Sequence, residues 1–320
     1  MEKVKLGNSE IEFKPIVFGG NVFGWTVDEQ QSFALLDAFV DMGFSFIDTS
    51  NNYSHWVPGH TGSESESIIG KWISKRDVRD KIQIATKVGG RHAGNDKPNL
   101  KKEHIINSVD ESLMRLQVDT IDLYQSHHDD LSTGIDETLE AYQQLVHAGK
   151  VKWIGASNLS PERLKESLVV AEKHGLPTYI AIQPEYNLYD RSKYEKDYEQ
   201  LAVENHLGVI TYYSLASGFL SGKYRSIEDI KDVKRSDALK GRFDNRGLRV
   251  LDALAQVAHN QQVAMSTIAL AWILHRPSVT APIVSATSLQ QLEELTKATK
   301  INLSTDEMSL LNIASAWEQS

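Results

Sequence analysis

FIDTSNNYS (residues 46–54) begins as a buried strand, with Phe46 and Ile47, and places Asp48 where the apolar run stops. A polar loop follows and carries Tyr53. A carboxylate at the end of one apolar strand means little by itself. The same design recurs along the chain, in the runs PIVFGG (15–20), FSFIDT (44–49), IQIATKV (82–88), TIDLYQSH (120–127), VKWIGASN (151–158), YIAIQPE (179–185), GVITYYS (208–214) and TAPIVSA (280–286). Each is short, rich in β-branched or aromatic residues, and followed by polar residues. Between them lie patterns such as SESESIIGKWISK, KEHIINSVDESLMRLQ and DETLEAYQQLVHAGK, with apolar positions three or four apart, as amphipathic helices require. Ser160-Pro161-Glu162 is a helix start, with a capping serine and a proline suited to the first turn.

Eight strand–helix units without a linker or a break in composition predict an α/β fold, a single closed (β/α)8 TIM barrel forming one domain over residues 1–320. An open doubly wound sheet carries a G-x-G-x-x-G turn after its first strand, and FGGNVFG lacks it. Residues 4–13 predict an N-terminal β-hairpin around Gly7-Asn8-Ser9, and residues 304–317 an extra C-terminal helix. The stretch 216–245 is long and polar, which reads either as a functional lid or as a solvated insertion.

The bulk composition narrows the function. The chain has 320 residues, 41% hydrophobic and 24% charged, enough to bury a large core. Its net charge of −9 and the lack of a basic stripe argue against nucleic acid as a partner. Without cysteine there are no disulfides, thiol nucleophiles or cysteine-bound zinc. Residues 1–13 lack a signal-peptide core, and no apolar run is long enough to cross a membrane, so a soluble cytoplasmic protein is expected.

In a barrel of this kind chemistry gathers where the strands end. Those ends are Asn21, Asp48, Lys87, His127, Ser157-Asn158, Gln183, Tyr212 and Ser285, all polar or titratable. Asp48, Lys87 and His127 fall on adjacent strands, with Tyr53 above them. An ammonium beside a phenol is expected to lower the phenol's pKa, a carboxylate to hold the ammonium, and a histidine to hydrogen-bond a carbonyl oxygen gaining negative charge. Such a group protonates an alkoxide, or removes an alcohol's proton in reverse. SHHDD (126–130) is set aside as a metal site, because neighbouring strand residues His127 and His128 are expected to point to opposite faces. GFLSGKY has the wrong spacing for a phosphate loop. The acids of SESES suit a helix N-terminus. Trp25 and Trp56, together with Phe23, Tyr186 and Tyr189, are candidates either for lining the substrate mouth or for covering the barrel's edges.

The segments IDTSNNYS, ATKVG, DLYQSHH, GKVKWIGASN, IQPEYN, YYSLASGFLSGKY and SATSLQQLEE, in that order, resemble the aldo-keto reductases over almost the whole chain. The resemblance implies a catalytic tetrad of Asp48, Tyr53, Lys87 and His127 and a nicotinamide cofactor. NADP (as NADPH) is the default, and NAD is possible. It implies Ser157, Asn158 and Gln183 at the carboxamide, Tyr212 stacked on the ring, and Gly20 and Asn21 near the ribose. Ser214 joins the cofactor contacts, and Leu215, Ser217 and Gly218 follow the pyrophosphate. Lys223 and the adenosine-end residues Ser285, Thr287, Gln291 and Glu294 complete the set. Where many relatives carry Lys or Arg for a 2′-phosphate, this chain has the neutral Ser285, Thr287 and Gln291, with Glu294 further on, so the ionic pair is missing. The implied substrate is a small carbonyl compound bound near Trp25, Tyr53, Trp56 and His127. Two alternatives accompany this reading: a cofactor-binding subunit of a channel with little turnover, and an NAD-dependent sugar or polyol dehydrogenase.

Overall fold

A computed structural model describes residues 1–91, 97–231 and 236–317. The chain begins with the expected hairpin, β1 (Val4–Lys5) antiparallel to β2 (Glu12–Phe13). Eight parallel strands then close into a barrel: β3 (Val17–Gly19), β4 (Phe46–Asp48), β5 (Gln83–Val88), β6 (Ile121–Ser126), β7 (Val151–Ser157), β8 (Tyr179–Gln183), β9 (Gly208–Thr211) and β10 (Ala281–Val284). Each of the eight apolar runs supplies one strand. Consecutive strands are neighbours, and β10 returns to β3 with Ile283 opposite Val17. This is the (β/α)8 barrel that the sequence predicts.

Period-two alternation sends one set of side chains inward. The lower interior is filled by Val17, Phe46, Ala85, Leu123, Ala181, Ile210 and Ala281, and the hairpin plugs its base with Leu6, Ile11 and Phe13. The Phe13 ring meets Phe46 edge-on at 4.7 Å. The plug fits this closely because Gly7 lacks a side chain: a Cβ there would lie 2.2 Å from the Ile180 carbonyl oxygen, and its φ is +52°. The apolar faces of the helices pack on the other side of the strands.

Local signals set the helix starts. Asp28 caps the helix Glu29–Asp41, and Ser160 caps Pro161–His174. Ser304 and Glu307 form a capping box on the last helix, Thr305–Ala314. The acids of SESES do more than sit at a helix N-terminus. Glu66 is fully buried, accepts from Thr86 Oγ1 at 2.5 Å and pairs with Arg115 Nε at 2.7 Å, tying its helix to β5 and to the helix Lys102–Leu116.

The stretch 216–245 is not a solvated loop. It contains short helical turns at Ala216–Ser221, Glu228–Ile230 and Ser236–Lys240, anchored by buried Phe219, Leu220, Ile230 and Leu239. Residues 232–235 of the stretch lie outside the described residues. Its charges dominate the composition, but the few apolar residues fix its course. No described helix is long and apolar enough to cross a membrane.

Candidate active site

The C-terminal ends of the strands bring the predicted tetrad together. Asp48 is the last residue of β4, and Lys87 is the next-to-last of β5. Lys87 is fully buried, and its Nζ donates to Asp48 Oδ2 at 2.6 Å, to the Thr49 carbonyl at 2.7 Å and to the Tyr53 hydroxyl at 2.9 Å. The Tyr53 hydroxyl in turn donates to Asp48 Oδ2, at a longer 3.4 Å. An ammonium has three protons, so these acceptors use its full capacity.

The expected lowering of the Tyr53 pKa is overturned. Burial raises it well above the ordinary value, and the charge and hydrogen bond of Asp48 act in the same direction. Burial also lowers the Lys87 pKa, against the opposing pull of Asp48. Tyr53 is therefore held as a phenol, a loaded proton donor. Lys87, 2.9 Å away, balances the negative charge that appears once the proton leaves.

His127 follows the end of β6, where its N–H donates to the Val88 carbonyl at 2.8 Å. Its ring state can be read from a chain of hydrogen bonds. Asn52 Nδ2 donates to the Arg91 carbonyl at 2.8 Å, which turns Asn52 Oδ1 toward Ser50. The Ser50 hydroxyl donates to that oxygen at 2.7 Å. With its proton spent, Ser50 Oγ accepts from His127 Nδ1 at 3.1 Å. Nδ1 thus carries a proton, and Nε2 carries one as well only when the ring is an imidazolium. The chain passes over Gly90, where a Cβ would lie 2.8 Å from His127 Nδ1.

His127 and His128 do not face opposite ways. Their rings stack at 4.8 Å with 18° between planes, because β6 has ended at Ser126 and strand alternation no longer applies.

The mouth is aromatic. Trp25 and Trp56 meet edge-on at 5.6 Å, and Trp56 lies 6.2 Å from Tyr53. Phe23, Tyr186 and Tyr189 are buried instead. Phe23 stacks on Phe18, the Tyr186 hydroxyl donates to Glu195, and that of Tyr189 donates to Asp244.

The model of the aldo/keto reductase family matches residues 15–316. The chain belongs to the aldo/keto reductase family. It is similar to an uncharacterized oxidoreductase, YrpG, of Bacillus subtilis (strain 168), 33% identical over 98% of this chain and 95% of that protein. It is also similar to aldo-keto reductase YhdN of the same organism, 32% identical over 98% and 93% of the two chains. A protein named a probable voltage-gated potassium channel subunit beta, from Oryza sativa subsp. japonica, is 31% identical over 93% and 91%. Membership makes this chain an oxidoreductase.

The remaining site residues of this aldo/keto reductase fall into two groups. Ser157, Asn158, Gln183 and Tyr212 lie together at the mouth. Asn158 Nδ2 donates to the His127 carbonyl and to Ser157 Oγ, and the Tyr212 hydroxyl donates to Asn158 Oδ1 at 3.0 Å. Ser157 Oγ donates to the Gln183 carbonyl at 2.9 Å. Asn158 has a φ of +53° and Tyr213 one of +51°, left-handed values rare in a bulky residue such as tyrosine. Ser214 is buried and hydrogen-bonds Thr211. Leu215 precedes a turn in which Ala216, Ser217 and Gly218 are all left-handed.

On the other side, Gly20 and Asn21 form a turn after β3, and Ser285 donates to Asn21 Oδ1 at 2.6 Å. Thr287 donates to Gln291 from both its backbone and its hydroxyl. Glu294 is the sixth residue of the helix Leu289–Thr296, where it accepts from Gln290. Lys223 is exposed with its ammonium 5.3 Å from the Tyr224 ring, and Arg225 pairs with Asp252 at 3.4 Å.

Sequence reasoning missed Ser50, Asn52 and Gln125. Gln125 Nε2 donates to Asp48 Oδ1 at 3.2 Å, beside Gln183 Nε2 at 2.9 Å. Counting on by two from the interior residue Leu123 places Gln125 on the inward face of β6, and a polar residue at a core position is the signal that marks it.

Proposed function

We propose that this aldo/keto reductase is an NADPH-dependent carbonyl reductase that converts an aldehyde or ketone to the alcohol, with Tyr53 as general acid. The observation that carries the reading is the buried Asp48–Lys87–Tyr53 chain, which keeps a phenol protonated and places an ammonium 2.9 Å from its oxygen. A reduced nicotinamide, when bound, supplies the hydride. The residues at the mouth suit that group: Ser157, Asn158 and Gln183 bear hydroxyl and amide groups complementary to a carboxamide, and the half-buried Tyr212 ring offers a flat face. Gly20, Asn21, Ser214, Leu215, Ser217 and Gly218 line the path for the rest of the dinucleotide.

Tyr53 gives its proton to the developing alkoxide, and Lys87 stabilises the resulting phenolate. His127 orients the carbonyl oxygen and, as an imidazolium, donates to it from Nε2. Trp25 and Trp56 favour an apolar or aromatic substrate of moderate size.

The neutral Thr287 and Gln291 leave NADH as the competing cofactor. Binding at least about tenfold tighter to NADPH than to NADH (~1.4 kcal/mol) supports the first choice, and the reverse order supports NAD. The name of the rice relative motivates a second reading, a cofactor-binding channel subunit. The complete tetrad weighs toward turnover.

The test is the initial rate of NADPH oxidation with a reactive aromatic aldehyde, wild type beside Tyr53→Phe. Turnover that falls at least ~100-fold in the variant supports the assignment. Cofactor binding without turnover in either protein supports the subunit reading. Equal activity in both removes Tyr53 from its role.

A further inference from the structure

Gln125 is fully buried in the floor of the site, and the barrel is shaped to admit it. At one level of the sheet, Lys87 on β5 pairs with Gln125 on β6, Gln125 with Gly155 on β7, and Gly155 with Ala181 on β8. Two long polar side chains thus stand beside two residues with almost no side chain. A Cβ on Gly155 would come within 3.2 Å of Gln125 Cγ and 3.2 Å of the Ala181 carbonyl oxygen. A side chain at Gly155 would crowd Gln125.

The hydrogen bonds fix which way each amide faces. Gln125 Nε2 donates to Asp48 Oδ1 at 3.2 Å. Gln183 Nε2 donates to the same oxygen at 2.9 Å and to Gln125 Oε1 at 3.4 Å. An ionised carboxylate only accepts, so both amide nitrogens must face Asp48. With its nitrogen committed to Asp48 and Gln125, the Gln183 amide turns its own carbonyl oxygen away from them.

We propose that Gln125 is a positioning residue for the cofactor subsite: by donating to Asp48 and accepting from Gln183, it locks the Gln183 amide so that Oε1 is offered as an acceptor to an amide NH2, the group a nicotinamide carboxamide carries. This rests on the nicotinamide reading above.

The experiment is an equilibrium titration of NADPH or NADH, whichever the wild type binds more tightly, followed by protein fluorescence from acid to alkaline pH. Wild type is compared with Gln125→Met, which keeps the bulk and loses both polar groups, and with Gln125→Glu. The methionine variant is expected to raise Kd about fivefold or more at all pH values, the worth of one ordinary hydrogen bond. The glutamate variant adds a signature that simple repacking does not produce. While protonated, its carboxyl donates to Asp48 and accepts from Gln183, and binding approaches that of wild type. Once ionised it repels Asp48, and binding weakens with rising pH.

Unchanged Kd in both variants at every pH overturns the assignment. If both fail to fold, Gly155→Ala crowds Gln125 while keeping its amide; weaker binding supports the role, and unchanged binding overturns it. Wild type that binds neither dinucleotide overturns the cofactor reading and this assignment with it. Normal wild-type binding with unchanged variants overturns this assignment alone.

Discussion

The Lys87–Asp48 pair shows how strongly burial governs individual residues in this protein. Both side chains are almost wholly withdrawn from water, and each is tolerable only because the other is there. Lys87→Met leaves the Asp48 carboxylate buried without its cation, and unfolding in urea is expected to show a loss of about 3–5 kcal/mol. The double variant Lys87→Met/Asp48→Asn removes the stranded charge and is expected to recover part of that stability while remaining inactive. A double variant less stable than Lys87→Met alone would mean that Asp48 is held mainly by its amide donors. The Ser50–Asn52 chain makes a separate prediction. While Ser50 holds the proton on Nδ1, a neutral His127 cannot donate from Nε2. Ser50→Ala frees the other tautomer and should change the pH dependence of kcat for reduction. An identical kcat profile in the variant would count against this account of the ring.

At the scale of elements, the loop after β6 shows how a connection is fixed without apolar bulk. Asp130 Oδ1 accepts from the Ser132 N–H and hydroxyl, and Oδ2 accepts from the Leu100 N–H and the Thr133 hydroxyl. Burial opposes its charge, yet the Ser132 and Thr133 hydroxyls and the backbone donors hold its pKa down to about 2, from an ordinary 3.8. A depressed carboxyl pKa stabilises the fold fully above the unfolded value, and the contribution fades as pH falls through the folded one. Asp130→Asn should therefore lower stability near neutrality, by on the order of 1 kcal/mol. The gap from wild type should close as pH is lowered from about 4 toward about 2. Urea midpoints measured across that range check the sign, and a gap that widens in acid would refute it. The helix starts were legible in the sequence at Ser160-Pro161, where capping is a local interaction. The packing of 216–245 was not, because a few scattered buried apolar residues among many charges give no periodic signal.

The whole molecule depends on closing the barrel at its base. The hairpin supplies Leu6 and Phe13, both fully buried, to an interior that the short strands do not fill by themselves. Phe13→Ala opens a cavity against Phe46 far from the chemistry, and a loss of about 3–5 kcal/mol is expected in urea unfolding, with kcat per folded molecule unchanged. A loss below ~1 kcal/mol would show that the plug is not a core element.

The eight strands, their order and the side chains Asp48, Tyr53, Lys87 and His127 were already legible in the order of residues along the chain. Those features are set by period-two patterning and by where each apolar run meets a polar residue, and both are local. Features that depend on neighbours from distant parts of the chain emerged only when the barrel closed. Gln125 fits into the site because Gly155, beside it on β7, has no side chain to crowd it. Ser50 and Asn52 set the proton on His127 because Arg91, in the loop after β5, presents its carbonyl to Asn52. The Tyr53 pKa rose where sequence reasoning expected a fall, since pairing with Lys87 could be foreseen from the strand ends but the depth of burial could not. Desolvation acts only once the chain has closed around the group, and no local pattern records it.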